Sequence, residues 1–285
     1  MILKELKLTV NSKHPLTLQK FLTEKNVSRR LLTRLKREHN GITRNGVTIR
    51  TIDTVYDGDV ISLKINDSKF LTPNPALCIP VAFENENLVI FDKSAGIPVH
   101  PSIKHQGDTV GNCFASLYPE LTFRPVNRLD KDTSGLVLIA KNTFSANILQ
   151  KSCTKTYYAI VHGITDISGT INTPIAREQE SIITRCVRED GQQAVTHYRR
   201  IAYNDKYSLL EIHLETGRTH QIRVHFSHIG HALAGDDLYG GMRTDIQRQA
   251  LHCGEMSFRN PVTDETITIK SDIPDDMKNL MNGAL

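Results

Sequence analysis

The sequence predicts an α+β protein: a mainly antiparallel mixed sheet with few helices, preceded by a small basic α/β unit. Three observations carry this. After residue 80, short strand-like segments (LVIFDK, GLVLIAK, KTYYAIVHG, SIITRCV, AVTHYRRIA, YSLLEIHLE) outnumber helical ones (TVGNCFASLY, TFSANILQKS and the stretch after Gly217). Several neighbouring strands are joined by short turns, which favours antiparallel pairing. The charge is uneven: 14 Lys and Arg face 7 Asp and Glu up to Thr72, leaving 21 against 24 beyond it. A net charge of +4 therefore conceals a basic first quarter, suited to a polyanion, on a nearly neutral body.

From the N-terminus, residues 1–12 alternate weakly, as a short strand would. Leu16, Leu18, Phe21 and Leu22 share one helical face. Ser28 is a good N-cap for a second helix, RRLLTRLKRE, on which Arg30, Arg34 and Arg37 form a stripe opposite Leu31, Leu32 and Leu35. Asn45-Gly46 is a tight-turn signal between β-type residues. Prolines from Pro73 to Pro80 place a linker at 67–78, dividing a unit of residues 1–66 from one of 79–285.

The totals are those of a globular chain: 285 residues, 39% hydrophobic and 23% charged. No apolar run approaches the roughly 18 residues that span a bilayer. The charged N-terminal stretch does not read as a signal peptide. Five scattered cysteines without a CxxC pair argue for a reducing cytoplasm and against a disulfide framework or thiolate zinc site.

Two segments concentrate chemistry. In VNRLDKDTSGLVLIAK (126–141), Asp130 sits on a loop that runs into an interior strand. Locally, two readings stand level: a carboxylate that caps a turn with Thr133 or Ser134, and a reactive group kept ionised by a cation. In LETGRTHQIRVHFSHIGHALAGDDLYGG (214–241), Ile222, Phe226 and Ile229 recur at helical spacing and Gly230 suits a C′ position. Arg218, placed in the first turn, opposes the helix dipole and so calls for an anion. The spacing of His220, His225, His228 and His231 is poor for a shared metal, and no metal is expected. In KTYYAIVHG, alternation sets Tyr157 and Ala159 on one sheet face and Tyr158 and Ile160 on the other; it does not choose between core and base-stacking roles.

Residues 14–66 resemble the alpha-L RNA-binding domain first known from a small-subunit ribosomal protein, on the helix start at Ser28-Arg29-Arg30, the Asn45-Gly46 turn and Gly58-Asp59. Beyond residue 80 the chain resembles the RluA-type pseudouridine synthases. The segments that carry this are ENENLVIFDKSAGIPVHP, NRLDKDTSGLVLIAK, KTYYAIVHG, GRTHQIRVHFSHIGHALAGDDLYG and LHCGEMSFRNPVT, in family order. The resemblance implies conversion of uridine in RNA to pseudouridine without cofactor or metal. It implies Asp130 as catalytic aspartate, Tyr157 stacked on the target base and Arg218 paired with Asp130. Arg223, Ile222 and His100 would line the cleft, Arg128 is placed to fill the vacated base position or hold a phosphate, and Arg29, Arg30, Arg34 and Arg37 would contact phosphates. Asn127 stands where the family usually has His, and Ser94 where it usually has Pro. Ribosomal RNA is the expected substrate, with transfer RNA second, acted on by a cytoplasmic monomer. Two other readings are an RNA-binding or ribosome-assembly factor with an idle site, and a metal-dependent nuclease using Asp130, Asp132, Asp236 and Asp237.

Overall fold

The computed structural model describes residues 5–64, 71–178 and 183–281. The N-terminal unit contains β1 (Glu5–Thr9), β2 (Leu16–Thr17), α1 (Leu18–Glu24), α2 (Arg29–Leu35), β3 (Ile42–Arg44), β4 (Val47–Thr48), β5 (Thr54–Val55) and β6 (Val60–Lys64). Its sheet has the order β1-β6-β3-β4. Ser28 caps α2 by accepting from the Leu31 amide at 3.2 Å. Asn45 and Gly46 both take positive φ (49° and 86°), the geometry of a tight hairpin between β3 and β4. Leu31, Leu32 and Leu35 turn into the core, while Arg29 and Arg37 are exposed and Arg34 is half-buried. The side chain of Arg30 lies outside the described part, as do residues 1–4 of the expected first strand.

The second unit contains β7 (Val81–Glu84), β8 (Leu88–Lys93), α3 (Val110–Leu117), β9 (Ser134–Ala140), α4 (Thr143–Ser152), β10 (Thr154–His162), β11 (Ser168–Asn172), β12 (Ile175–Arg177), β13 (Arg185–Val187), β14 (Val195–Tyr203) and β15 (Tyr207–Leu214). It continues through α5 (Gln221–His228), a 3₁₀ turn (Asp237–Tyr239), β16 (Leu251–Arg259), β17 (Thr266–Lys270) and α6 (Asp275–Leu280). Among the described residues its main sheet runs β11-β14-β15-β10-β16-β9-β8-β7, with β17 also on β16. Every pairing is antiparallel except β16 with β9. The expected α+β class holds. The expected strand at SIITRCV is shorter: β13 begins at Arg185, and residues 181–182 lie outside the described part.

β9 reads as an unbroken apolar run because both of its faces are covered, and all seven of its residues are buried. On β10, Tyr157, Ala159 and Val161 join the core that includes residues of α3, α4 and α5; Ile160 faces the opposite core with Met277 and Leu280 of α6. Gly135 is required where β9 meets β16. Its φ is +109°, and a Cβ would lie 2.3 Å from the Cys253 carbonyl oxygen.

Residues 71–78 contain no helix or strand, and residues 67–70 of the expected linker lie outside the described part. The described half is strapped to the second unit: Asn112 Nδ2 donates to Thr72 O at 2.7 Å, and Asn74 Nδ2 to Gly107 O at 2.6 Å. The N-terminal unit also rests directly on α4. Phe144, 1% exposed, belongs to the N-terminal core, with Ile148 packed beside it. Burying one such aromatic contributes about 1.5–3 kcal/mol, so the two units are joined by packing as well as by chain. No helix among the described residues is long and apolar enough to cross a membrane.

Candidate active site

The loop that carries Asp130 is fixed at both ends. Upstream, Arg124–Asn127 runs beside β9, with Val126 N on Leu138 O at 2.8 Å and Ala140 N on Arg124 O at 2.9 Å. Asn127 extends this ladder with its side chain: Nδ2 donates to Leu136 O at 3.0 Å, and Oδ1 accepts from Leu138 N at 2.9 Å. Downstream, Thr133 N donates to the Asp130 carbonyl at 3.1 Å, closing the turn through the backbone. From beneath, the buried Lys93 Nζ donates to Ser94 O at 3.0 Å and Lys131 O at 2.9 Å. The turn is thus made without the Asp130 carboxylate, which leaves that carboxylate to the cleft. This separates the two local readings of Asp130.

Arg223, on the buried face of α5, donates from Nη1 to Asp130 Oδ2 at 3.1 Å. Its Nε and Nη2 form a two-pronged pair with Asp236 at 2.7 and 2.8 Å. Burial opposes the guanidinium charge, but the hydrogen bonds and charge of Asp236, with the charge of Asp130, outweigh it and hold Arg223 above its ordinary pKa. Tyr157 of β10 is 7% exposed and lines the same cleft. Burial raises its phenol well above the ordinary value, and Cys253, Cys153 and Asp130 act in the same direction, so it stays protonated. Leu129, Leu214, Ile222 and Leu251 supply apolar walls; Arg128 stands exposed at the edge. The cleft holds about 390 Å³ of open space, solvent at its mouth included.

Three expectations need correction. Arg218 does not lie in the first turn of α5, because His220 adopts a left-handed conformation (φ 58°) as N-cap and delays the helix to Gln221. Nor does Arg218 pair with Asp130. It lines the cleft, but its Nε donates to Gln193 O at 3.0 Å, and the partner of Asp130 is Arg223. His100 is exposed, stacks edge-on against Phe123 at 5.3 Å and is not among the residues lining the cleft. Asp130, Tyr157, Arg128, Ile222, Arg223 and Arg218 do converge.

Three of the four carboxylates of the nuclease reading are tied to arginines, Asp130 and Asp236 sharing Arg223. Asp236 is locked on Arg223, and Asp237 pairs with Arg243 at 2.9 Å. The four histidines disperse too. His225 bonds Thr196 and Thr173, His231 bonds His162 O, His228 is exposed, and His220 alone approaches Asp130. Among the described residues no group of three or more potential ligands converges on a metal position.

Several site residues were invisible to spacing arguments. Asp236 and His220 meet Asp130 or its partner only through the fold. Gln221 seals the start of α5 to β14, donating to Val195 O and Thr196 Oγ1, both at 3.0 Å.

The main sheet presents an arginine-held carboxylate in an open cleft, an arrangement suited to an enzyme's active site. A family model described as RNA pseudouridylate synthase matches residues 87–228. An uncharacterized RNA pseudouridine synthase of Bacillus subtilis, YjbO, is 36% identical over 94% of this chain and 99% of its own. The ribosomal large subunit pseudouridine synthase D of Xanthomonas campestris is 33% identical over 84% and 79%. The structure of human RNA pseudouridylate synthase domain containing 1 superposes with a TM-score of 0.57 at 24% identity, covering 71% of this chain and 86% of that one, and so shows the fold. The chain belongs to the RluA-type RNA pseudouridine synthase family, and its reaction is the isomerisation of uridine in RNA to pseudouridine.

Proposed function

We propose that this enzyme modifies large-subunit ribosomal RNA, with Asp130 as its catalytic carboxylate, Arg223 as the cation that orients it and Tyr157 as the ring against which the base stacks. One observation carries the residue assignment: the Asp130 carboxylate, unused by its own turn, reaches into the cleft on a buried arginine at 3.1 Å. The substrate assignment rests on relatives such as those of Xanthomonas campestris and Pseudomonas aeruginosa, which are named ribosomal large subunit pseudouridine synthases. Transfer RNA is the second candidate. The reading is of a cytoplasmic enzyme acting as a monomer.

In the reaction the bond from C1′ to N1 of uracil breaks, the base rotates, and C1′ bonds to C5. The proton on C5 leaves and N1 gains one, so composition is unchanged and no outside group is needed. Asp130 acts by attack on C1′ or by taking the C2′ proton, and Arg223 orients the carboxylate for either. The uridine leaves its stack to reach the cleft, at a cost of a few kcal/mol, and Arg128 at the edge takes the vacated space or a phosphate. The exposed Arg29 at the start of α2 and Arg37 just beyond its end, with Arg30 and Arg34, add phosphate contacts and salt-sensitive affinity.

The experiment is Asp130→Asn with RNA binding and pseudouridine formation measured together, alongside pseudouridine mapping of cellular RNA with and without the protein. Loss of modification with retained binding is expected, as is disappearance of sites in large-subunit ribosomal RNA. Modification by Asp130→Asn at the native rate would overturn the residue assignment. Sites that vanish only from transfer RNA would overturn the substrate.

A further inference from the structure

His220 is the one histidine beside Asp130, and its backbone is held at φ 58°, ψ 18°, a conformation that costs an L-residue with a Cβ roughly 1–2 kcal/mol. A strained residue beside the reacting carboxylate calls for a reason, and its ring contacts supply one. His220 Nδ1 lies 2.8 Å from the Tyr239 hydroxyl, and that hydroxyl accepts the Arg185 amide of β13 at 2.9 Å. With the amide on one lone pair, the hydroxyl is able to turn its own hydrogen to Nδ1, which would then accept it. Nδ1 is then the bare nitrogen, so the hydrogen of the neutral ring sits on Nε2. Nε2 lies 3.8 Å from Asp130 Oδ2, the same oxygen that Arg223 holds at 3.1 Å. Among the described residues no donor hydrogen-bonds the other oxygen, Oδ1.

We infer that His220 is a positioning residue for Asp130: with its tautomer fixed by Tyr239, it aims an Nε2–H at Oδ2 and, with Arg223, leaves Oδ1 to face the ribose. The inference rests on the reading of Asp130 as the catalytic carboxylate. It also connects β13 to the reacting atoms, through the Arg185 amide, the Tyr239 hydroxyl and the imidazole. The ring is neutral near neutral pH. Burial pulls its pKa down, Asp130 and Asp236 oppose this, and Arg223 and Arg185 assist it. A neutral donor suits the site, since Asp130 already has one full cation. Acid changes the arrangement: a protonated ring carries hydrogens on both nitrogens, so Nδ1 no longer accepts and the Tyr239 hydroxyl must turn its hydrogen away.

The test uses the full-length enzyme with Tyr239→Phe and His220→Asn. Asparagine tolerates the left-handed backbone but is too short to reach Asp130. Tyr239→Phe removes the hydrogen bond to the neutral ring, so the ring protonates more readily and the acid limb of kcat moves to higher pH. Nitrogen NMR of the wild-type imidazole should show the Nε2-protonated tautomer, and Tyr239→Phe should show a mixture. His220→Asn should lower kcat by a few-fold, the scale of losing a donor that stands 3.8 Å from the carboxylate and is not a formed hydrogen bond, with KM for RNA little changed. A uniform fall in rate with an unmoved acid limb, or an Nδ1-protonated ring in the wild type, would overturn the inference. The NMR result does not depend on turnover, and the failure of Asp130 as catalyst would appear separately as an active Asp130→Asn enzyme.

Discussion

Arg223 binds two aspartates at once: it closes a two-pronged pair on the buried Asp236 and reaches Asp130 with its remaining nitrogen at 3.1 Å. Only a planar guanidinium supplies three donors in that arrangement, and an ammonium on a flexible stem does not reproduce it. Arg223→Lys should therefore lower kcat far more than Arg218→Ala, by about a hundredfold against a few-fold, on the scale of a lost charge-assisted hydrogen bond. Single-turnover assays of both variants on the same RNA check this. Equal losses, or a larger one for Arg218→Ala, would restore Arg218 as the partner of Asp130.

Asp236 has a different duty. It is 1% exposed and anchors the cation without reaching the cleft surface. Asp236→Ala leaves Arg223 buried with the single hydrogen bond to Asp130 at 3.1 Å, and breaking a buried two-pronged pair in this way costs about 3–5 kcal/mol. Chemical denaturation should show that loss in stability together with reduced activity. An unchanged denaturation midpoint would mean that Asp130 alone suffices to hold the arginine.

Asn127, where the family usually has His, acts as a piece of strand. Its amide donates to Leu136 O and accepts from Leu138 N, two groups at the start of β9 that are otherwise without partners in this ladder. Asn127→Leu would leave both buried groups unpaired, at about 1–3 kcal/mol each. Asn127→Asp keeps the acceptor and loses the donor, so thermal melts should rank the native protein first, Asp second and Leu last. Equal melting of Asp and Leu would show that the Leu136 carbonyl contact carries no weight.

The legible parts of this chain were those set by local periodicity. The alternation of KTYYAIVHG sets Tyr157 and Ile160 on opposite sheet faces, and the structure has them in opposite cores. Ser28, Asn45-Gly46 and Gly230 marked a cap, a hairpin and a helix end through backbone preferences that act within a few residues. What differs is also local: the left-handed His220 delays α5 to Gln221, and the cation on Asp130 is Arg223 where the resemblance implies Arg218. The remainder was out of reach for a physical reason. Asp130 and Arg223 are 93 positions apart, and only β10, β16 and the loop after α5 bring them together. The isolated parallel contact of β9 with β16, on which the loop geometry depends, follows from a close approach at Gly135 that no periodicity encodes.

The basic stripe of α2 gives a prediction in salt. Arg29 and Arg37 are exposed, and α2 is anchored through Leu31, Leu32 and Leu35. Replacing both arginines with Ala should leave the fold intact and reduce the slope of log affinity against log salt by roughly 1.5, at about 0.7–0.9 per phosphate contact. Point substitution is a cleaner test than deleting the N-terminal unit, because deletion would expose Phe144 and Ile148 on α4. An unchanged slope would remove α2 from the RNA interface.

Lys93 ties the catalytic loop from beneath and responds to pH. It is 1% exposed, donates to Ser94 O and Lys131 O, and faces Asp132, Asp130 and Arg248. Burial pulls its pKa down to about 7 against the attraction of the two aspartates. A lysine lowered in the folded state contributes stability above its unfolded value, near 10.5, and loses it as pH falls toward 7. Over that window the loss is at most about 5 kcal/mol, at about 1.4 kcal/mol per unit. Lys93→Met removes the titrating group together with its two hydrogen bonds. The stability difference between native and variant proteins should therefore favour the native protein at pH 10, shrink steadily toward pH 7 and stay level below it. Denaturation of both proteins across that range measures the difference directly, and a difference that is constant with pH would show that Lys93 titrates as an ordinary lysine.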